Sequence, residues 1–180
     1  MEKTAASFGI FAWRLIALHT VTYFLVGMTT FTLFDYETLF GSEGLAGFMR
    51  PTRDPVTALG PFFQWIRGLI FALAFWPIRE SLLSPPRGWL RLWLLFMGLG
   101  IFATFGPAPG SVDGFIYTRV PVATQLIFLP ELLLQSLLLS LGLWGWYQKP
   151  RKFYNWVAAV LLGLVFMLGI AGYQFLSMDL

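Results

Sequence analysis

The sequence predicts an all-α integral membrane protein: a bundle of five transmembrane helices with a cytoplasmic N-terminus and the C-terminus outside. Three observations predict this fold class. Of the 180 residues, 57% are hydrophobic and only 12% are charged, and five apolar segments approach or exceed the length of a membrane span. Soluble domains contain about 45–50% apolar and about 25% charged residues. So little charge cannot cover a water-soluble surface, which excludes soluble enzymes, nucleic-acid-binding domains and disordered tails.

The five apolar segments are predicted to be the transmembrane helices of one domain over residues 1–180. A helix needs roughly 20 apolar residues to cross about 30 Å of hydrocarbon. The third segment falls short of that length, whereas the first and fourth exceed it and can tilt. The predicted spans are residues 8–34, 58–78, 89–105, 122–147 and 156–175.

The basic residues predict which side of the membrane each loop occupies. Cytoplasmic loops carry an excess of lysine and arginine. The loops after spans two and four are rich in these residues, whereas the opposite loops mix basic with acidic side chains. No organellar presequence is recognised before the first span, so the expected location is the bacterial cytoplasmic (inner) membrane. The residues that predict the cytoplasmic side are Arg79, Arg87, Arg91, Lys149, Arg151 and Lys152.

Composition also limits the cofactors and partners of the protein. The chain has no cysteine and one histidine. Disulfides, thiolate sites and sites with several histidines are therefore excluded, and no metal ion or other cofactor is expected. The net charge of +3 belongs to loops beside the membrane. The lipid bilayer is therefore an expected partner, and nucleic acid is not.

Two loops on the predicted outer side contain more than a simple connection needs. Residues 35–57 include short apolar stretches at 39–40 and 45–49. These are too short to span the membrane and predict an interfacial or re-entrant helix. Residues 106–114 are rich in glycine and proline, which is typical of turns. This second loop is either a tight connection between helices or a lid or binding loop.

A weak internal repeat relates the second and third spans to the fourth and fifth. A Pro-Arg pair precedes span three at 86–87 and span five at 150–151. The offset between the pairs overlays two helical hairpins of the same orientation. The same offset aligns Arg67 with Glu131 in the sequence, so the two side chains are expected at a similar depth in two different helices. An unpaired charge inside the bilayer is costly, so these two side chains are candidates for an ion pair.

Each of these two charges has an amide side chain close to it. Gln64 lies one helical turn before Arg67, and Gln135 lies one turn after Glu131, so each amide shares the face of its charge. The amides either complete the hydrogen bonds of a structural ion pair or add polar contacts for a ligand. Two interpretations are therefore open. The two charges either form a structural ion pair that holds two hairpins together, or they line a polar pocket that opens outward.

Span one contributes a polar face of its own. His19 and Tyr23 are one helical turn apart, and Gly27 and Thr30 continue the same face. If the pocket is functional, His19 or Tyr23 relays a proton beside the two charges. The candidate binding residues are Arg67, Glu131, Gln64, Gln135, His19 and Tyr23.

Three functions fit these features. The first is binding or transport of a small amphipathic or anionic molecule, with Arg67 holding the anionic group. The second is that of an accessory subunit in a larger membrane complex, with membrane-protein partners and no chemistry of its own. The third is a small membrane enzyme acting on a lipid, with Glu131 and His19 as acid and base groups. Whether the protein is an enzyme stays open at this point.

Overall fold

A computed structural model describes residues 7–42 and 44–178 of the chain. The helical content is 75%, and no strand occurs in the described ranges. The all-α class predicted from the sequence is confirmed. The α-helices of these ranges are α1 Phe8–Leu33, α2 Tyr36–Phe40, α3 Pro55–Ala58, α4 Gln64–Phe75, α5 Arg79–Leu83, α6 Gly88–Leu95, α7 Val112–Tyr117, α8 Val122–Gln148 and α9 Lys152–Ser177.

Three helices, α1, α8 and α9, are long and apolar enough to cross a membrane by length and composition. They contain 26, 27 and 26 residues, against the roughly 20 that a bilayer requires. They coincide with predicted spans one, four and five, and their ends differ from the predicted bounds by a few residues. The other two predicted spans are divided into shorter helices.

The second predicted span, residues 58–78, begins later and continues farther than expected. Residues 59–63 form turns, because a Gly-Pro pair there disfavours helical backbone before the proline. Helix α4 therefore begins at Gln64. A 3-10 turn at Trp76–Ile78 joins α4 directly to α5, so that one helical run covers 64–83. The proline inside this turn has no amide hydrogen to donate, which favours the change of helix type.

The third predicted span, residues 89–105, also changes helix type. Helix α6 is followed by a π-helix at Phe96–Phe102, and this segment contacts α8. The π-type bond is seen where the amide of Ala103 donates to the carbonyl oxygen of Gly98 at 2.9 Å. Such segments are rare and occur frequently at functional sites. Hydropathy alone does not distinguish this backbone from an ordinary α-helix.

Helix α1 is the central helix and packs against α4, α8 and α9. Its buried side chains Phe11 and Leu15 join Ala72 of α4 and Leu139 of α8 in the main apolar core. The same helix buries polar side chains farther along, among them His19. A polar group on the central helix can contact several neighbouring helices at once, and this position gives α1 its role in the site.

Helix α9 packs against α1 and α3 rather than along α8. The predicted hairpin of spans four and five packs near its connection, where Trp146 of α8 contacts Tyr154 and Ala158 of α9, and α5 and α6 of the other hairpin contact each other more extensively. The predicted repeat of two equivalent hairpins is not found in the packing. The separation of α8 from α9 leaves an apolar groove beside α1.

Residues 34–42 and 44–60 form a cap over the end of the bundle where α1 ends and α8 begins. Within the cap, Tyr36, Leu39 and Leu45 pack with Val120 in a buried apolar cluster. The segment contains two helices of five and four residues. Leu39 and Leu45 are buried against the protein, whereas Phe48 is 74% exposed. That a helix of this segment lies at the membrane interface or re-enters the membrane stays a prediction.

Gln125 of α8 holds the other loop, residues 106–114, against the start of that helix. Its buried side chain accepts a hydrogen bond from the Gly110 amide at 3.2 Å. The same side chain donates to the carbonyl oxygens of Gly114 at 3.2 Å and Val120 at 2.9 Å. These hydrogen bonds are those expected of a tight connection between helices. Ala108 and Pro109 of the same loop also line the cavity that contains Arg67 and Glu131, so the lid or binding-loop alternative stays a prediction.

Candidate functional site

A cavity of about 540 Å³ lies between α1, α4, α8 and the cap. Most of its wall is aromatic or aliphatic, and its polar lining includes one basic and one acidic side chain. Small-molecule sites are typically apolar with a few placed polar groups. The apolar lining includes Phe24, Met28, Phe31, Phe40, Met49 and Phe128, and the polar lining includes Tyr23, Tyr36, Thr52, Thr57, Arg67 and Glu131.

Glu131 of α8 is hydrogen-bonded to two hydroxyl groups. Its Oε2 atom accepts from the Thr30 hydroxyl at 2.9 Å and from the Tyr36 phenol. Thr30 belongs to α1 and Tyr36 to the cap, so one carboxylate joins three parts of the fold. Hydrogen bonds to an ionised acceptor are about twice as strong as neutral ones. The carboxylate therefore holds the cap on the bundle.

Tyr36 remains a hydrogen-bond donor to this carboxylate through the neutral pH range. Burial raises the pKa of the Tyr36 phenol above its usual value. The hydrogen bond to Glu131 raises this pKa further, the hydrogen bond to Thr30 lowers it by a smaller amount, and the negative charge of Glu131 raises it by less still. A phenol with a raised pKa keeps its proton, so the contact between cap and carboxylate persists in mildly alkaline solution.

Arg67 of α4 lines the same cavity but is not bonded to Glu131. Within the ranges that the structure describes, no carboxylate oxygen lies within 4.0 Å of its guanidinium nitrogens. The predicted ion pair between Arg67 and Glu131 is therefore not formed. A guanidinium carries five N–H donors, and the exposed side chain of Arg67 presents them where a ligand or water can accept them.

His19 joins two helices to α1 through two glutamine side chains. In the tautomer that satisfies both bonds, Nε2 donates to Gln64 Oε1 at 3.2 Å and Nδ1 accepts from Gln135 Nε2 at 3.0 Å. Gln64 also donates to the carbonyl oxygen of Gly60 at 3.0 Å. The imidazole is 1% exposed. It is thus a neutral, fully bonded group that ties α1 to α4 and α8.

A smaller cavity of about 50 Å³ lies beside this imidazole. Arg67 and Leu132 line both cavities, and the π-helix contributes Gly100 and Ile101 to the smaller one. A volume of this kind exceeds the roughly 10–15 Å³ that one water molecule needs, so the chamber has room for water. Arg67 therefore lies between the larger cavity and the space next to His19.

The structure brings all six predicted binding residues into one region of the bundle. Three of them line the larger cavity, two more line the smaller cavity, and the sixth is hydrogen-bonded to His19. In that order they are Tyr23, Arg67 and Glu131, then His19 and Gln135, then Gln64. That they bind a ligand remains a prediction.

The sequence does not identify Tyr36 as a residue of the site, and it does not predict the hydrogen bond between Thr30 and Glu131. The position of Thr30 on the face of His19 and Tyr23 is a signal that the helical spacing does provide. Tyr36 has no such signal, because it lies in a loop whose contact with α8 bridges residues 95 positions apart in the sequence. A long-range contact of this kind follows from tertiary packing and not from local periodicity.

The site offers hydrogen-bonding groups and one carboxylate. In the described part of the chain, no group of three or more histidine, cysteine, aspartate or glutamate side chains could hold a metal ion. The chemistry that these side chains can supply is recognition of an anion by Arg67, hydrogen bonding by the tyrosines and glutamines, and apolar contact with the aromatic wall.

Replacing His19 with leucine is expected to lower the free energy of unfolding by about 2 kcal/mol, because two buried amides lose a partner. Equilibrium unfolding in mixed micelles measures this change. The matched control is Gln174→Leu, which removes an exposed amide on α9 and should leave stability unchanged. If His19→Leu were as stable as wild type, the imidazole would not be holding the two glutamines.

Comparisons with protein-family models, with curated proteins and with solved structures find no match for this chain. A functional assignment therefore rests on the side chains of the site and their surroundings.

Proposed function

We propose that the protein binds or transports a small amphipathic molecule with an anionic group, in the cavity under the cap. The observation that carries this assignment is the contrast between two charged side chains. Glu131 is already bonded to Thr30 and Tyr36, whereas Arg67 faces the cavity with no carboxylate in contact among the residues described. A charge in apolar surroundings requires a partner, and an anionic ligand supplies one.

The cavity wall supports an apolar body for the ligand. Phe24, Phe31, Phe40 and Phe128 surround the space in front of Arg67. Its volume of about 540 Å³ lies within the range of about 300–1,000 Å³ typical of small-molecule sites. A carboxylate or phosphate matches the planar fork of an arginine. A molecule that carries such an anionic group on an alkyl chain or ring therefore matches both Arg67 and the apolar wall of the cavity.

Five spans with a cytoplasmic N-terminus are part of the same proposal. The helical run 64–83 is about 30 Å long at 1.5 Å per residue, which equals the thickness of the hydrocarbon core. The shorter run Gly88–Phe102 is apolar and follows a basic loop. With α1, α8 and α9, these two runs make five crossings. The bacterial cytoplasmic membrane remains the expected location.

A binding measurement in neutral nanodiscs tests this function. Full-length protein is placed in phosphatidylcholine discs, and dodecanoate and dodecanol are titrated as an anionic and a neutral probe. Wild type is expected to prefer dodecanoate. Arg67→Gln should weaken dodecanoate binding about tenfold or more, since a hydrogen bond to a charged group contributes about 1.5–3 kcal/mol. Binding of dodecanol should change little.

The matched control is Arg87→Gln, which removes an exposed arginine at the opposite end of the bundle. It should bind both probes as wild type does. Equal affinity of wild type and Arg67→Gln for dodecanoate would contradict the proposed function, as would an equal preference of wild type for the alcohol.

A further inference from the structure

A second cavity, the apolar groove, lies at the end of the bundle opposite the cap. Its volume is about 520 Å³, and it runs between α1, α8 and α9. Its walls are formed by side chains such as Leu18, Val21, Leu141 and Leu161, and among the described residues Lys149 is the one charged residue that lines it. The groove shares no lining residue with the cavity around Arg67.

Small residues on α8 create this groove. Gly142 and Gly145 both line it, at positions where a larger side chain would project between the helices. A Cβ atom on Gly145 would meet no atom within 4 Å, so the space in front of this residue is open. Helix α9 packs mainly on α1 and α3 and contacts α8 where Trp146 meets Tyr154 and Ala158, and the groove lies beside this contact. Its walls are apolar enough to receive a hydrocarbon chain.

Positive charge is concentrated at one end of the groove. Lys149 caps the C-terminus of α8, is exposed, and is followed closely by Arg151 and Lys152. Trp146 forms part of the wall, and the buried guanidinium of Arg14 lies 5.5 Å from the centre of its ring. No acidic residue of the described ranges lines the groove. Basic pockets between transmembrane helices are typical sites for anionic lipid head groups.

We propose that the groove binds one anionic phospholipid, with an acyl chain along α8 and the phosphate at Lys149. The apolar length of the groove selects a ligand with a hydrocarbon chain, which a free phosphate lacks. The lysine at its end favours a head group with a net negative charge, which a zwitterionic lipid lacks. The two features together identify an anionic glycerophospholipid as the occupant. This site is independent of the function assigned to the cavity under the cap.

Native mass spectrometry of the full-length protein in detergent tests the lipid site. Delipidated protein is titrated with phosphatidylglycerol and with phosphatidylcholine of the same acyl chains. Wild type is expected to bind phosphatidylglycerol about fivefold more tightly, which is the effect of one lysine close to an anionic lipid. Lys149→Gln should lose this preference, and Arg119→Gln, an exposed arginine elsewhere, should keep it.

A second variant tests the acyl chain separately. Gly145→Leu fills the open space and should weaken binding of both lipids, whereas Gly163→Leu, an equal enlargement at an open position on α9 outside the groove, should not. If Gly145→Leu fails to fold, Lys149→Gln decides, because Lys149 is an exposed residue at the helix end. The lipid site is overturned by equal binding of the two lipids to wild type. It is also overturned by displacement of phosphatidylglycerol with inorganic phosphate, or by wild-type lipid binding in a folded Gly145→Leu.

Discussion

Replacing Gly68 with alanine is expected to destabilise the folded protein by about 2–3 kcal/mol, a cost typical of overpacking. A Cβ atom on Gly68 would lie 2.6 Å from the Cα atom and 3.1 Å from the backbone nitrogen of Ile16 in α1. Both are backbone atoms of the central helix, which cannot turn aside as a flexible side chain can. Helices α1 and α4 must therefore move apart to accept the methyl group.

The same displacement should be visible at His19. Gln64 lies one turn before Gly68 on the buried face of α4, so a movement of α4 away from α1 lengthens the 3.2 Å contact between His19 Nε2 and Gln64 Oε1. Because the chain has one histidine, its imidazole nitrogens give isolated NMR signals in a selectively labelled sample. We expect these signals to shift in Gly68→Ala, together with a loss of stability in equilibrium unfolding.

Gly163→Ala in α9 is the matched control for this packing effect. A Cβ atom there meets no atom within 4 Å. Only the higher helix propensity of alanine then acts, and it favours the variant by up to about 1 kcal/mol. Wild-type stability of Gly68→Ala, with unchanged imidazole signals, would contradict the close contact between α1 and α4.

Hydropathy predicts α1, α8 and α9 because each contains enough consecutive apolar residues to be recognised without any tertiary contact. The structure of the second and third predicted spans depends on local backbone chemistry as well. The 3-10 turn at Trp76–Ile78 contains a proline that is visible in the sequence, whereas the π-helix at Phe96–Phe102 has no hydropathy signal. The shape of the cap depends on which of its apolar residues meet Val120 and α8, and that contact is long-range.

Helical periodicity predicts which polar residues share a face, but not which side chains meet. The spacing places Gln64 beside Arg67 and Gln135 beside Glu131 on their own helices. In the structure both amides are bonded to His19 and not to these charges. Equal depth in two helices then suggests an ion pair. Depth does not determine the lateral position of a side chain around the bundle, however, and packing sets that position. The structure directs Glu131 toward Tyr36 and the cap, and it leaves Arg67 on the cavity wall.

Replacing Tyr36 with phenylalanine is expected to increase opening of the cap about ten- to a hundredfold. The variant loses a hydrogen bond to a charged acceptor, which contributes about 1.5–3 kcal/mol, and about 1.4 kcal/mol corresponds to tenfold. The apolar packing is retained, because the ring stays against Phe40 and Phe128, whose ring centres are 5.4 and 5.8 Å away. The substitution therefore tests the hydroxyl alone.

Reaction of a single introduced cysteine measures this opening. The chain has no cysteine of its own. Val120 is 8% exposed and packs under the cap against Leu45, so a cysteine in its place reacts with a soluble maleimide only while the cap is open. The labelling rate of Val120→Cys is expected to rise ten- to a hundredfold when Tyr36→Phe is added, as estimated from the lost bond.

Tyr117→Phe is the matched control, because the Tyr117 side chain is 73% exposed and its loss of a hydroxyl should leave the labelling rate unchanged. If the cap covers the ligand site, Tyr36→Phe should also speed association of dodecanoate, while the effect of Arg67→Gln on affinity persists. Equal labelling rates with and without Tyr36→Phe would mean that the apolar cluster alone holds the cap. Glu131 would then be available to the cavity, and a ligand with a hydrogen-bond donor beside its anionic group would fit better than a simple carboxylate.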